Sequence, residues 1–143
     1  MLNYLFCGKK KREKMIEIKF RAWDKVGKKM WKVSSMKFFG EKGDFDLQVE
    51  GNENEEWEEE PEFIVMQYTG MKDKNGREIF EGDICHYIDY YCGDHLYKSG
   101  VGEVVFDEGA FSVRGATELT SAEISNLEYK VIGNIYQNSE LMR

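Results

Sequence analysis

The stretch 68–84, YTGMKDKNGREIFEGDI, limits what this chain can fold into more than any other. Asn75-Gly76 is a dipeptide that tolerates positive φ at both centres of a tight hairpin, and Glu81-Gly82-Asp83 offers a second reversal six residues later. Apolar runs flank both turns, so the chain doubles back twice around one short strand. Nothing in the stretch is a nucleophile beside a base, a phosphate cradle or a metal cage.

The rest of the composition agrees with a sheet built from hairpins. There is one proline, Pro61, against 14 glycines, so turns are made with Gly and Asn rather than with rigid linkers. Apolar residues make up 41% and aromatic ones 14%, enough for a ring-rich core in one ordinary domain of 143 residues. A net charge of −7 argues against a general duplex-DNA binder, which needs a basic face. Three cysteines without framework spacing point to a reduced, cytoplasmic protein. No apolar run has the length that crosses a bilayer, and the opening MLNYLFCGKKKREK puts its apolar patch before its basic one, the reverse of a secretory signal.

Residues 1–14 form a basic extension, and Met15 is a candidate natural start; without those residues the net charge becomes −11. Residues 15–50 are expected to form an N-terminal β-hairpin unit. Ile16, Ile18, Phe20 and Ala22 alternate with Glu17, Lys19 and Arg21; residues 24–28 make the loop, and Met30, Trp31 and Val33 begin the return. Residues 24–31 and 73–80 share the pattern D-K-x-G-basic-x-apolar-aromatic, which reads as one turn solution used twice. Between residues 41 and 62 the composition turns acidic, and 51–62 is assigned as a loop or linker outside the core, Trp57 excepted. Residues 63–143 then supply strands at 63–68, 84–91, 102–106, 111–114 and 129–136. Thr120 with Glu123 has the form of a capping box, and Leu119 with Ile124 that of a hydrophobic staple, so one short helix is expected there. Asn138 is placed to cap a terminal turn through Leu141. The fold class expected is mainly β, with a small, partly open SH3-like barrel over 63–143 and the hairpin unit beside it.

Candidate chemistry is sparse. Cys85, His86, Cys92 and His95 fall within eleven residues and are zinc-ligand types, but Cys85 and His86 are adjacent and point to opposite faces of a strand. Cys92 and His95 remain the weak metal candidates; two ligands make no structural site, and neither a metal nor a cofactor is assigned. Asp73, Glu81 and Asp83 sit beside turn glycines, where an aspartate ordinarily bonds nearby backbone N–H groups, so structural roles are favoured over acid–base ones. The first hairpin carries Lys19, Arg21, Lys25, Lys28, Lys29 and Lys32 among Trp23 and Trp31, a pattern that can track a nucleic-acid strand by charge and stacking. Trp23, Lys28, Lys29 and Trp31 are the candidate interaction surface, and Gly27, Asn75, Gly76, Gly82 and Asp83 the structural turn residues. The glutamates between 50 and 62 present a line of charge that a DNA-binding protein could accept, a weaker alternative to a loop that keeps the chain soluble.

Three segments in order, IEIKFRAWDKVGKKM, QYTGMKDKNGREIFEGDI and VIGNIYQNSELM, resemble the YopX family of bacteriophage and prophage proteins. The resemblance runs from Met15 to Leu141, leaving out the acidic stretch and residues 85–100, and its pattern begins at about Met15. Where similar proteins tend to read Asn-Pro-Glu, this chain has Asn138-Ser139-Glu140, without proline's fixed φ. The resemblance implies a small, β-rich, cytoplasmic accessory protein of phage or prophage origin, with no activity to carry over. The function expected is non-catalytic binding of a host or phage protein through loops and strand edges, with homo-oligomers as a further use of such an edge. A nucleic-acid-associated factor using the basic hairpin is the alternative. No membrane partner is expected.

Overall fold

A computed structural model describes residues 17–41, 44–52, 57, 61–90, 97–114 and 128–143. The expected helix near Thr120, the basic extension and the pair Cys92 and His95 lie outside the described residues. Nine strands are described: β1 (Phe20–Asp24), β2 (Lys29–Phe39), β3 (Asp44–Val49), β4 (Phe63–Lys72), β5 (Glu78–Phe80), β6 (Asp83–Tyr90), β7 (Tyr97–Asp107), β8 (Ala110–Arg114) and β9 (Glu128–Asn134). A 3-10 turn, Ser139–Met142, follows; proline is not required for it, and the Asn138 side chain does not cap it.

The strands form two open antiparallel sheets, ordered β3-β2-β1-β4-β5 and β8-β7-β6-β9. The mainly β expectation holds, but the strands after residue 62 do not close into a barrel. β4 runs antiparallel to β1, with Ala22 opposite Val65, so β4 and β5 complete the N-terminal sheet instead of joining the strands that follow. The acidic stretch is therefore an excursion within one sheet's connectivity. That stretch also supplies a strand: Phe45, Leu47 and Val49 alternate with Asp44, Asp46 and Gln48, and β3 pairs with the outer half of β2.

The two sheets meet where β5 and the end of β4 cover β6 to β9. Ile79 packs among Cys85, Tyr87, Val104, Val113, Tyr129 and Val131, with Met71 and Phe111 at the margin. A bulge between Tyr68 and Lys72, with Gly70 at φ 83°, bends β4 so that its end reaches the second sheet. Trp57, although set among glutamates, packs edge-on against Trp31 (5.6 Å between centroids) and Phe63 (5.7 Å).

The repeated D-K-x-G turns share one device. Asp24 Oδ1 accepts from Val26 N (2.9 Å), and Asp73 Oδ1 accepts from Asn75 N (2.8 Å). Their left-handed residues differ, being Lys28 in the first turn and Gly76 in the second. Asn75 does not take the positive φ expected of it; Gly76 N returns to Asp73 O (2.9 Å), and Gly76 alone is left-handed. The two-residue turn with both centres at positive φ is instead Glu108-Gly109, between Asp107 and its partner Ala110.

Candidate interaction surface

The second reversal is the point where both sheets are fastened. Gly82, at φ 77°, donates its N–H to Val104 O (2.8 Å), and its carbonyl accepts from Ile135 N and from Asn134 Nδ2, both at 2.9 Å. Asp83 is fully buried; its Oδ2 accepts from Phe80 N (2.9 Å), and its Oδ1 lies 2.8 Å from Arg21 Nη2. Arg21 also donates to Glu81 O (3.1 Å) and stands over the Phe80 ring. Neither Asp83 Oδ1 nor Arg21 Nε has an aligned hydrogen bond among the described residues, so their attraction is mainly Coulombic. Burial pushes the Arg21 guanidinium down from its ordinary range, and the Asp83 carboxylate opposes that.

Asp73 makes a second fastening. Its Oδ1 accepts from Asn75 N and Arg77 N (2.9 Å), and its Oδ2 from Val131 N on β9 (3.1 Å). Burial by itself would raise this carboxyl, but the N–H groups of Arg77, Val131 and Asn75 outweigh it and hold it below the ordinary aspartate value. Asp73 thus bonds backbone N–H groups on two sides, and Asp83 bonds Phe80 N and faces Arg21.

The basic hairpin is largely neutralised by neighbours that sequence distance had hidden. Lys19 pairs with Glu17 (2.9 Å) and Glu78, Lys25 with Glu62, Lys32 with Glu50 (3.7 Å), and Arg21 with Asp83. Trp23 is 7% exposed and stacks on Tyr136, so it is withdrawn from the surface. Lys28 and Lys29 are exposed, and Lys29 holds its ammonium 3.5 Å from the centroid of a half-buried Trp31. Among the described residues neither lysine makes an ion pair. Of the turn glycines, Gly27 is not left-handed; a Cβ there would come 2.5 Å from Asp24 Oδ2, the oxygen of the carboxylate that shapes the loop. Cys85 lies in the core with its thiol pushed up to about 12 by burial, while His86 turns to the other side of β6, as their adjacency requires.

What sequence reasoning missed is the outer half of the β2–β3 hairpin. β1 pairs with β2 only through Lys29–Lys32, and β3 pairs with β2 only from Val33 outward. From Val33 onward the described sheet is thus a two-stranded ribbon. Cross-strand neighbours Met36 with Leu47 and Phe38 with Phe45 share one face, and Lys37 with Asp46 and Phe39 with Asp44 share the other. Phe38 is 67% exposed, Phe39 46% and Phe45 43%, although the Phe38 and Phe45 rings touch. Only Val49, at the ribbon's base, is buried. The period-2 pattern of DFDLQV signals this strand, but its aspartates and the glutamates beyond it read as loop.

No helix among the described residues is long and apolar enough to cross a membrane. A crystal structure of protein EF1440 from Enterococcus faecalis is similar, with 31% sequence identity and a TM-score of 0.56, over 90% of this chain and 100% of that one. No curated protein matches. The model of the family described as YopX protein matches residues 19–143, nearly the whole chain, and the chain belongs to that family.

Proposed function

We propose that this chain is a non-catalytic accessory protein of phage or prophage origin that binds another protein, and that the β2–β3 ribbon is the part that touches it. The exposed row of Phe38 and Phe45, flanked by Met36 and Leu47, carries this reading. A two-stranded ribbon alone is marginally stable in water, so an apolar face on one is best accounted for by something that covers it. The matched charges of the first hairpin favour a protein partner over a nucleic acid, since four of its six basic residues already have acidic neighbours. The commitment of Asp73 and Asp83 to structural bonds supports a non-catalytic role.

The test is photo-crosslinking in cells from a reactive phenylalanine analogue at position 38, with the same probe in a chain carrying F45S as control. A discrete protein adduct that weakens in the control is expected. Adducts to nucleic acid, or a pattern unchanged in the control, would overturn the proposal.

A further inference from the structure

β3 is the outermost strand of its sheet, with β2 as its one strand partner among the described residues. Among the described residues its outer edge therefore has main-chain donors and acceptors with no strand partner, beside side chains that alternate strictly: Asp44, Asp46 and Gln48 on one face, Phe45 and Leu47 on the other. β2 shows what suits this strand, setting Lys37 opposite Asp46, Phe38 opposite Phe45 and Met36 opposite Leu47.

We propose that the free edge of β3 accepts an extended segment of a partner protein in which lysine or arginine alternates with aromatic or aliphatic residues, adding a third strand to the ribbon. The inference rests on the protein-binding reading above and names the partner's chemistry. A second copy of the chain is a poor occupant on two grounds. Antiparallel β3 edges centred on Phe45 set Asp44 against Asp46 twice, and centring on Asp46 sets that residue against itself. Packing of two ribbon faces would bury chiefly Met36, Phe38, Phe45 and Leu47 from each copy, far short of the 20–30 residues a side found in stable interfaces. Strand addition needs less side-chain area because main-chain hydrogen bonds supply part of the affinity, while the alternating pockets give specificity. Basic residues opposite Asp44 and Asp46 turn two charges that discourage self-pairing into attraction.

The experiment uses the full chain and two blocked octapeptides of equal composition. In one, lysine alternates with valine or phenylalanine; in the other, the lysines are grouped. The alternating peptide is expected to bind about tenfold more tightly than the grouped one, and D44K/D46K to lose about tenfold of that affinity, as two reversed cross-strand pairs would produce. Amide exchange over residues 44–49 should slow when the alternating peptide is added to the unaltered chain, a readout independent of how well the variant folds. Equal binding of both peptides, no binding, or slowed exchange elsewhere but not in β3 would overturn the proposal. So would concentration-dependent self-association abolished by F38S/F45S, which would give the ribbon to a second copy. If peptides fail while crosslinks from position 38 still depend on Phe45, only the strand-addition chemistry falls; if both fail, the protein-binding reading falls as well.

Discussion

The Gly82–Asp83 junction and the β2–β3 ribbon are both hairpin-derived, yet they spend their residues in opposite ways. At the junction, backbone groups of Phe80, Gly82 and Ile135 and side chains of Arg21, Asp83 and Asn134 bond one another around the buried Asp83 and Asn134. In the ribbon, aromatic rings stand in solvent and a strand edge has no neighbour among the described residues. Burying polar groups is costly unless each is matched, so the junction accepts few changes. The ribbon contributes little to the core and so tolerates change in stability terms. The difference separates what holds this protein together from what is available to meet a partner.

Substitutions on the two sides should separate stability from binding. The largest effect is expected from D83N, which keeps the shape but leaves the Arg21 charge buried without its counter-charge; a loss of about 3 kcal/mol in denaturant unfolding is expected. G82A comes next, at about 2 kcal/mol, because an alanine at φ 77° is strained and its Cβ would lie 3.2 Å from Met66 Sδ. Acid should loosen the Asp73 fastening. Its carboxyl is held below the ordinary value when folded, so its contribution is complete above the unfolded value of about 4 and disappears as pH falls through the lowered folded value. Unfolding measured from pH 7 down to pH 3 should therefore decline less steeply in D73N than in the unaltered chain. The smallest change in stability, about 1 kcal/mol or less, is expected for F45S, whose ring is already 43% exposed, while crosslinking from the probe at position 38 weakens. A ribbon variant as destabilising as D83N would erase the contrast.

Local chemistry was legible in the sequence, and the long-range pairings were not. Asx bonds at Asp24 and Asp73, reversals at Gly76 and Gly82, and the Asp107–Ala110 hairpin all follow from residues within four positions of one another. The pairing of β1 with β4 joins residues some forty positions apart across an acidic stretch, and no periodicity encodes which strands will meet. An open pair of sheets therefore stands where a barrel was expected. Arg21 shows the same limit at one residue. Alternation placed it on the solvent side of β1, but the strand that follows the second reversal brings the buried Asp83 against it and leaves its side chain 11% exposed. In β3 the period-2 signal was present, but acidic composition outweighed it, because charges that keep an edge strand from pairing give it the same composition as a solvated loop.

Native-state hydrogen exchange of the full chain, without partner or peptide, tests the contrast most directly. The amides of Phe80, Gly82, Val131 and Ile135 should exchange only through global unfolding, while those of residues 35–39 and 44–48 open locally at a much lower free energy. Ribbon amides as protected as those of the junction would mean that the ribbon is already covered in the free chain, and would contradict its assignment as a surface awaiting a partner.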